Sequence, residues 1–272
     1  MIYEVHIPVH PLNQFIESFV FYKDYSPDHS IDRFLPDGNV NLIFDLTDRP
    51  KFIYDNYTLK EIQSCNHVWF SGIRSKYITI PSGKDSEMFI VNFHKGKAYP
   101  FIEMPLNELT DYVVDGQLVM NDDILNFREV LLATKTSREL FLKAESYFLS
   151  IYKSKLLQNP FVEFAVNKII TNPDQTTIKE LSAKVGYSQK HLIKIFETHV
   201  GLSPKAFLKV IRFQKAITDI AMSKEINWSR IAYDAGFYDQ AHFINDFKSF
   251  SGFSPSQYLQ MQQEFQNYIA VG

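Results

Sequence analysis

The stretch YDAGFYDQAHFINDFKSFSGFSPSQYL, Tyr233 to Leu259, restates AKVGYSQKHLIKIFETHVGLSPKAFL, Ala183 to Leu208. Gly186 and Gly236 are 50 residues apart, whereas Leu192 and Phe243, Phe196 and Phe247, Gly201 and Gly252, and Pro204 and Pro255 are each 51 apart. One residue has been inserted just after the first glycine, and the remainder is in register. Two copies are too few for a solenoid, which needs about three or more to bury its faces. The second half of the chain is therefore expected to hold a pair of like modules.

Each copy reads as two short helices joined at a glycine. Thr177 with Glu180 makes a capping box ahead of IKELSAKV, Gly186 ends that helix, and Ser188 can cap the next. The second copy runs from Trp228 to Ala235, then Gly236, then a helix from about Asp239. Ahead of both, FVEFAVNKIIT is amphipathic and stops at Asn172-Pro173. Helix, glycine turn and helix make a helix-turn-helix, whose second helix lies in the major groove of a duplex. The alternative is that the short helices only pack on each other. A template, F-x4-G-x-S-P-x2-[FY], follows both second helices: Phe196, Gly201, Ser203, Pro204 and Phe207, then Phe247, Gly252, Ser254, Pro255 and Tyr258. The phenylalanine anchors the helix in the core, the glycine ends it, and Ser-Pro starts the next one.

Charge is distributed to match. The net charge is -3, yet residues 1–160 carry 16 Lys and Arg against 21 Asp and Glu, while 161–272 carry 12 against 10. From Lys179 to Lys215 the count is 8 to 2, which marks where an anionic partner would dock. From Ala216 to Glu264 it is 3 to 6.

Residues 1–120 read as strands and turns. Pro36–Gly38 is a turn before NVNLIFDL, where Val40, Leu42 and Phe44 alternate with Asn41, Ile43 and Asp45. Pro81–Gly83 breaks a second pair of β-rich runs in the same way. This layout favours a compact sheet or barrel, although it does not say which strands pair. From Asn121 the period becomes helical: Leu140, Ala144, Tyr147 and Ile151 share one face of a helix that Thr136 and Glu139 can cap. That stripe serves either packing within its own domain or a homodimer. The expected division is 1–120 as a β-rich sensing or oligomerisation domain, 121–159 as a helical linker whose striped helix is the candidate for dimerisation, and 160–272 as the DNA-binding domain.

These residues carry a resemblance. Residues 160–265 resemble the DNA-binding domain of the AraC/XylS family of bacterial transcription regulators, above all in AGFYDQAHFINDFKSFSGFSPSQY. The resemblance implies an α+β chain, a β-rich N-terminal domain followed by an all-α C-terminal one with helix-turn-helix motifs at about 177–199 and 227–251. It also implies a long helix between the motifs, which SPKAFLKVIRFQKAITDIAMS supplies. At ~30 Å that helix approaches the ~34 Å of one duplex turn, so the two motifs could meet successive major grooves. On the first recognition helix Leu192, Ile195 and Phe196 should face the core. Gln189, Lys190, Ile193 and Lys194 should then face DNA, with His191 either at a phosphate or structural. On the second, Phe243 and Phe247 are core, leaving Gln240, Ala241, Ile244 and Asn245. Lysine there reads guanine O6 or N7 or settles for phosphate, whereas Asn or Gln can be bidentate to adenine. Gly186, Gly201, Gly236, Gly252, Pro204 and Pro255 are the turn and helix-start positions.

FLPDGNVNLIFDL and VWFSGIRSKYITI resemble the N-terminal domain of a subset of such regulators, which implies sensing or oligomerisation without naming a ligand. Phe34, Phe44, Trp69 and Phe93, with Tyr54, Phe70 and Phe89, either line a pocket for a small apolar effector or are plain core. His6, His10, His29, His67 and His94 show no metal-ligand spacing, and no cofactor motif appears. Catalysis has no sequence support. An alkyl-transfer repair enzyme borrowing the same module would need a reactive thiol, and the single cysteine, Cys65, reads as a small buried side chain. A third reading is a β-domain that binds only a protein partner. With no apolar run long enough for a membrane span, no leader-like start and no disulfide, the expectation is a cytoplasmic, nucleoid-associated protein whose partners are double-stranded DNA and RNA polymerase.

Overall fold

Alternation and turns build the first half. In the computed structural model, which describes residues 1–102, 104–152, 159–262 and 265–271, ten strands precede the helices: β1 (Ile2–His6), β2 (Ile16–Lys23), β3 (Ile31–Phe34), β4 (Asn41–Asp45), β5 (Lys51–Tyr54), β6 (Glu61–Cys65), β7 (Val68–Ser71), β8 (Ile78–Pro81), β9 (Glu87–Phe93) and β10 (Val113–Asp115). One sheet has the order β1-β2-β9-β4-β7-β10. The other is β3-β8-β5-β6, with an eleventh strand, β11 (Tyr268–Ala270), on the β3 edge. All the pairings are antiparallel. The Pro36–Gly38 and Pro81–Gly83 turns, with Gly38 at φ +83° and Gly83 at φ +81°, do not close hairpins. Each carries the chain from the second sheet to the first, β3 to β4 and β8 to β9.

The two faces of the first sheet have different fates. Leu42, Phe44, Val68, Phe70, Phe89, Val91 and Phe93 point outward into the main core. That core is closed by α1 (Gly116–Met120), α2 (Asp123–Leu132) and α3 (Ser137–Ile151). Phe127 of α2 stacks on Tyr147 of α3 at 4.0 Å, and Phe148 lies fully buried against Phe19, Phe93 and Phe101. The apolar stripe Leu140, Ala144, Tyr147 and Ile151 is thus taken up by the chain's own core. Segment 121–152 packs on the sheet instead of spanning from it, and 153–158, the end of the expected linker, lies outside the described residues. The inner faces of the two sheets meet through a smaller cluster of Ile53, Cys65, Ile78 and Val113, with Phe34, Trp69 and Ile80 against it.

Seven helices follow: α4 (Pro160–Thr171), α5 (Ile178–Val185), α6 (Gln189–Val200), α7 (Pro204–Met222), α8 (Trp228–Asp234), α9 (Gln240–Ser251) and α10 (Pro255–Met261). Their starts follow from local chemistry. The side chains of Thr177, Ser188, Ser203, Asn227, Asp239 and Ser254 each accept an orphan amide of the following helix. The reciprocal capping box forms at Ser254 and Gln257. At Thr177 only the threonine side of the expected box is made.

Candidate nucleic-acid interface

α5 and α6 form the first module. Gly186 ends α5 at φ +71°, a left-handed conformation that favours glycine, and a Cβ there would meet nothing within 4 Å. Leu192, Phe196 and Val200 of α6 are fully buried. The helix therefore presents Gln189, Lys190, His191 and Lys194 to solvent, with Ile193 half-buried beside them. Ile195, expected in the core, is half-buried against it. The His191 ring meets Tyr187 edge-on at 4.6 Å, and Tyr187 in turn meets Phe161, so His191 has a packing partner at the helix start.

α8 and α9 form the second module in the same way. Phe243 and Phe247 are fully buried, Gln240, Ala241 and Asn245 are exposed, and Ile244 is half-buried. Gly236, at φ +84°, differs from its counterpart. A Cβ there would lie 2.7 Å from Asp174 Cα and 3.0 Å from Arg212 Nε. Arg212 Nε donates to the Pro173 carbonyl at 2.8 Å, and burial pulls that guanidinium below its ordinary range. Pro204 and Pro255 both start helices, α7 and α10, and both are buried.

The inserted residue can now be placed. A single residue, Tyr187, separates Gly186 from its cap Ser188, whereas Phe237 and Tyr238 separate Gly236 from Asp239. Phe237 turns inward against Phe243 at 5.2 Å. Tyr238 stands 94% exposed beside the N-terminus of α9. Residue-type reasoning passed over it, although the one-residue slip between the copies was its signal.

Electrostatics separates the modules, with fewer usable cations than the sequence count suggests. Lys209 is paired with Asp246 at 3.1 Å and Lys215 with Asp219 at 2.8 Å, while Arg212 is committed to Pro173. The exposed cations of Lys179 to Lys215 are Lys179, Lys184, Lys190, Lys194 and Lys205. In the second module Asp246 is shared with His242, 3.3 Å away, and Arg230 lies 3.4 Å from Asp234.

Both modules also touch the β-rich half. Gly201, at φ +98°, ends α6 so close to Ile73 that a Cβ would lie 2.5 Å from its Cγ2, and Thr110 Oγ1 donates to the Gly201 carbonyl at 2.6 Å. His199 lies 4.2 Å from the Tyr99 ring, and burial pulls its imidazole below the ordinary range. Lys97 pairs with Glu163 of α4. After α9, Gly252, at φ +77°, abuts Arg33 and Tyr77 of the β-rich half.

The four residues expected at an effector pocket are not brought together. Phe44 and Phe93 belong to the main core outside the first sheet, whereas Phe34 and Trp69 face the space between the sheets. β4 and β9 are paired on both sides, yet their inner-face residues Asn41, Ile43, Ile90 and Asn92 remain half-exposed. Solvent therefore reaches between the sheets. Asn92 Nδ2 donates to Ser18 Oγ at 3.0 Å there, and at one end of β4 the buried Asp45 keeps Oδ2 without a partner among the described residues, burial raising its carboxyl. Cys65 is buried and its thiol is pushed up to about 11, which leaves little thiolate. Among the described residues no group of three or more His, Cys, Asp or Glu could hold a metal, and no helix is long and apolar enough to cross a membrane.

Comparison with known proteins agrees with this geometry. Residues 181–261 match the family described as a helix-turn-helix domain, and 4–115 match a domain of unknown function, DUF6597. No curated protein matches the chain. Among solved structures, ToxT from Vibrio cholerae is similar at 18% identity, covering 90% of this chain and 98% of that one with a TM-score of 0.46. The C-terminal domain of AraT, a response regulator from Geobacillus stearothermophilus, is 26% identical over 40% of this chain and 93% of its own, at a TM-score of 0.37. A probable AraC family transcriptional regulator from Rhodopseudomonas palustris is 30% identical, covering 38% of this chain and 96% of that one at a TM-score of 0.35. With two registered modules under one matched helix-turn-helix family, and a 30% identical relative covered almost end to end, the chain belongs to the AraC/XylS family of transcription regulators.

Proposed function

We propose that the chain regulates transcription by reading two successive major-groove segments of one DNA site, α6 entering one groove and α9 the next. The observation that carries this reading is the matched burial of the two helices. Leu192 and Phe196 on one, Phe243 and Phe247 on the other, turn equivalent faces inward and leave equivalent faces in solvent. Lys190, Ile193 and Lys194 meet base edges or phosphates from α6, with Gln189 and His191 at its start. Gln240, Ala241, Ile244 and Asn245 read from α9. Gln240 Oε1 accepts from Ser229 Oγ at 3.2 Å, which holds it at the helix start where base edges are met. Tyr238 adds a hydroxyl at backbone height.

The β-rich half supplies the signal in this reading. The solvent-reached space between its sheets, with Phe34, Trp69, Ile43 and Ile90 for an apolar body and Asn41 and Asn92 for a polar group, suits a small molecule. RNA polymerase is the further partner, and the cytoplasm the compartment. Selection of duplexes from a random-sequence library, followed by footprinting, tests the DNA reading. Two protected segments with centres about one helical turn apart are expected. A single segment, or no sequence preference, would overturn it.

A further inference from the structure

The helical half returns to the β-rich half through its last strand. β11 lies antiparallel on β3, with Tyr268 opposite Phe34, Ile269 opposite Arg33 and Ala270 opposite Asp32. The Leu35 amide donates to the Asn267 carbonyl at 2.9 Å, and the Val271 amide to the Ile31 carbonyl at 3.0 Å. Ile269 is fully buried. The Gln214 side-chain amide, on α7, donates at 2.8 Å to both the Pro36 carbonyl and Asn267 Oδ1, and the Tyr258 hydroxyl of α10 donates to the Gln266 carbonyl at 2.9 Å. β3 also grips the second module directly. The Arg33 guanidinium sits 4.6 Å from the ring centres of both Tyr77 and Phe253, beside the turn that ends α9. β3 and the turn that follows it therefore hold the connecting helix, the end of the second recognition helix and β11.

The consequence for DNA comes from lengths. α7 has 19 residues and is about 28 Å long, short of the ~34 Å between like grooves of straight duplex. Either the duplex bends or a module shifts. The first module is already seated on the β-rich half at Gly201 and Thr110. Seating the second on the same body removes the protein's share of the adjustment. A three-residue strand on a sheet edge is also among the cheaper elements of a fold to detach.

We propose that β11 is a releasable strap: docked on β3 it holds α9 in the orientation set by the β-rich half and weakens DNA binding, and detached it lets the second module settle into its groove. The strap also borders the space between the sheets, because the Tyr268 ring lies 4.9 Å from that of Phe34. A molecule entering there touches the element that controls the second module. The inference rests on the DNA reading proposed above.

A switchable cross-link tests it in the full chain. Asp32 and Ala270 are opposite each other between flanking hydrogen-bonded pairs, the position where facing Cβ atoms are closest, so Asp32→Cys with Ala270→Cys can be locked by oxidation. Cys65 is buried with a raised thiol and does not compete. The probe is a duplex selected from a random-sequence library by the unsubstituted chain. Oxidised protein is expected to bind it on the order of tenfold more weakly than the reduced form, since the competent state is removed. Ile269→Asp, which puts a charge in a fully buried place, should bind on the order of tenfold more tightly than the parent. Equal affinity of the oxidised and reduced forms, with the disulfide verified by mass, overturns the strap. If Ile269→Asp melts as an unfolded chain, the redox pair alone decides. Failure of the unsubstituted chain to select any duplex would sink the DNA reading, and the strap with it.

Discussion

The two module glycines make a controlled comparison, because they occupy equivalent places with unequal surroundings. Gly186 and Gly236 both sit in the left-handed region, at φ +71° and +84°. Any L side chain at either place costs about 1–2 kcal/mol in backbone strain. At Gly186 that is the whole expected cost of alanine, since nothing lies within 4 Å of the new Cβ. At Gly236 the new atom would lie 2.7 Å from Asp174 Cα, a backbone atom that cannot step aside alone, and 3.0 Å from Arg212 Nε, whose movement would stretch its bond to the Pro173 carbonyl. Overpacking of this kind adds about 1–3 kcal/mol. Gly236→Ala should therefore lose about 2–5 kcal/mol against about 1–2 for Gly186→Ala. At about 2–4 °C of melting temperature per kcal/mol for a chain of this size, the gap is measurable by thermal unfolding. Gly236→Val should be worse and should also weaken binding of a selected duplex, because the angle between α8 and α9 changes. Equal melting losses for the two alanine variants, or a larger loss at Gly186, would refute the reasoning.

Lys190→Ala with Lys194→Ala should abolish specific binding and flatten its salt dependence, by about 0.9 in the log–log slope for each phosphate that is no longer neutralised. Gln240→Ala with Asn245→Ala should leave that slope nearly unchanged while costing about 1–3 kcal/mol for each base left unread; titrations at several salt concentrations check both, and equal flattening in the two would sink the asymmetry. Tyr238→Phe should weaken duplex binding by about 1 kcal/mol, one hydrogen bond, without altering the melting temperature, because the side chain is 94% exposed. Cys65, with its thiol raised to about 11, should resist iodoacetamide in the folded protein near neutral pH and react once the chain is denatured. Mass spectrometry reads the adduct, and rapid alkylation of the native chain would contradict the burial.

What the sequence revealed followed the range of each interaction. Thr177, Ser188 and Asp239 cap helices whose starts lie next to them, and the apolar period of α6 and α9 is written within single helices, so these elements were legible. Strand partners were not. Nothing near Tyr268, Ile269 and Ala270 signals that they join β3, because the partner strand lies at the other end of the chain, with all the helices between them in sequence. The two turns near Pro36 and Pro81 were legible as turns, but the choice between a hairpin and a passage to the other sheet depends on distant packing. The aromatics were the least legible. Phe44 and Trp69 look alike on paper, yet the odd or even place of each along its strand sends one to the helical core and the other to the space between the sheets.

Charge shows most clearly how far a count can carry. Eight cations from Lys179 to Lys215 suggest a strongly basic first module. Three of them, Lys209, Arg212 and Lys215, lie on α7 and are committed to Asp246, the Pro173 carbonyl and Asp219. Lys209 and Arg212 hold the connecting helix against its neighbours, Lys215 is paired within that helix, and all three are poorly placed to meet phosphate as well. The five exposed lysines still outnumber the exposed acids around α6, so electrostatic affinity stays with the first module, on a smaller scale than the count implies. The same pairings bear on the second module. Lys209 reaches from α7 to Asp246 on the inner side of α9, where it compensates an acid that would otherwise repel the duplex from behind the reading face. In the proposed reading the first module supplies attraction and the second supplies discrimination, and the second is the one whose orientation the β-rich half controls through Arg33 and β11. Regulation placed there changes which sites are held without first having to overcome the electrostatic attraction that brings the protein to DNA.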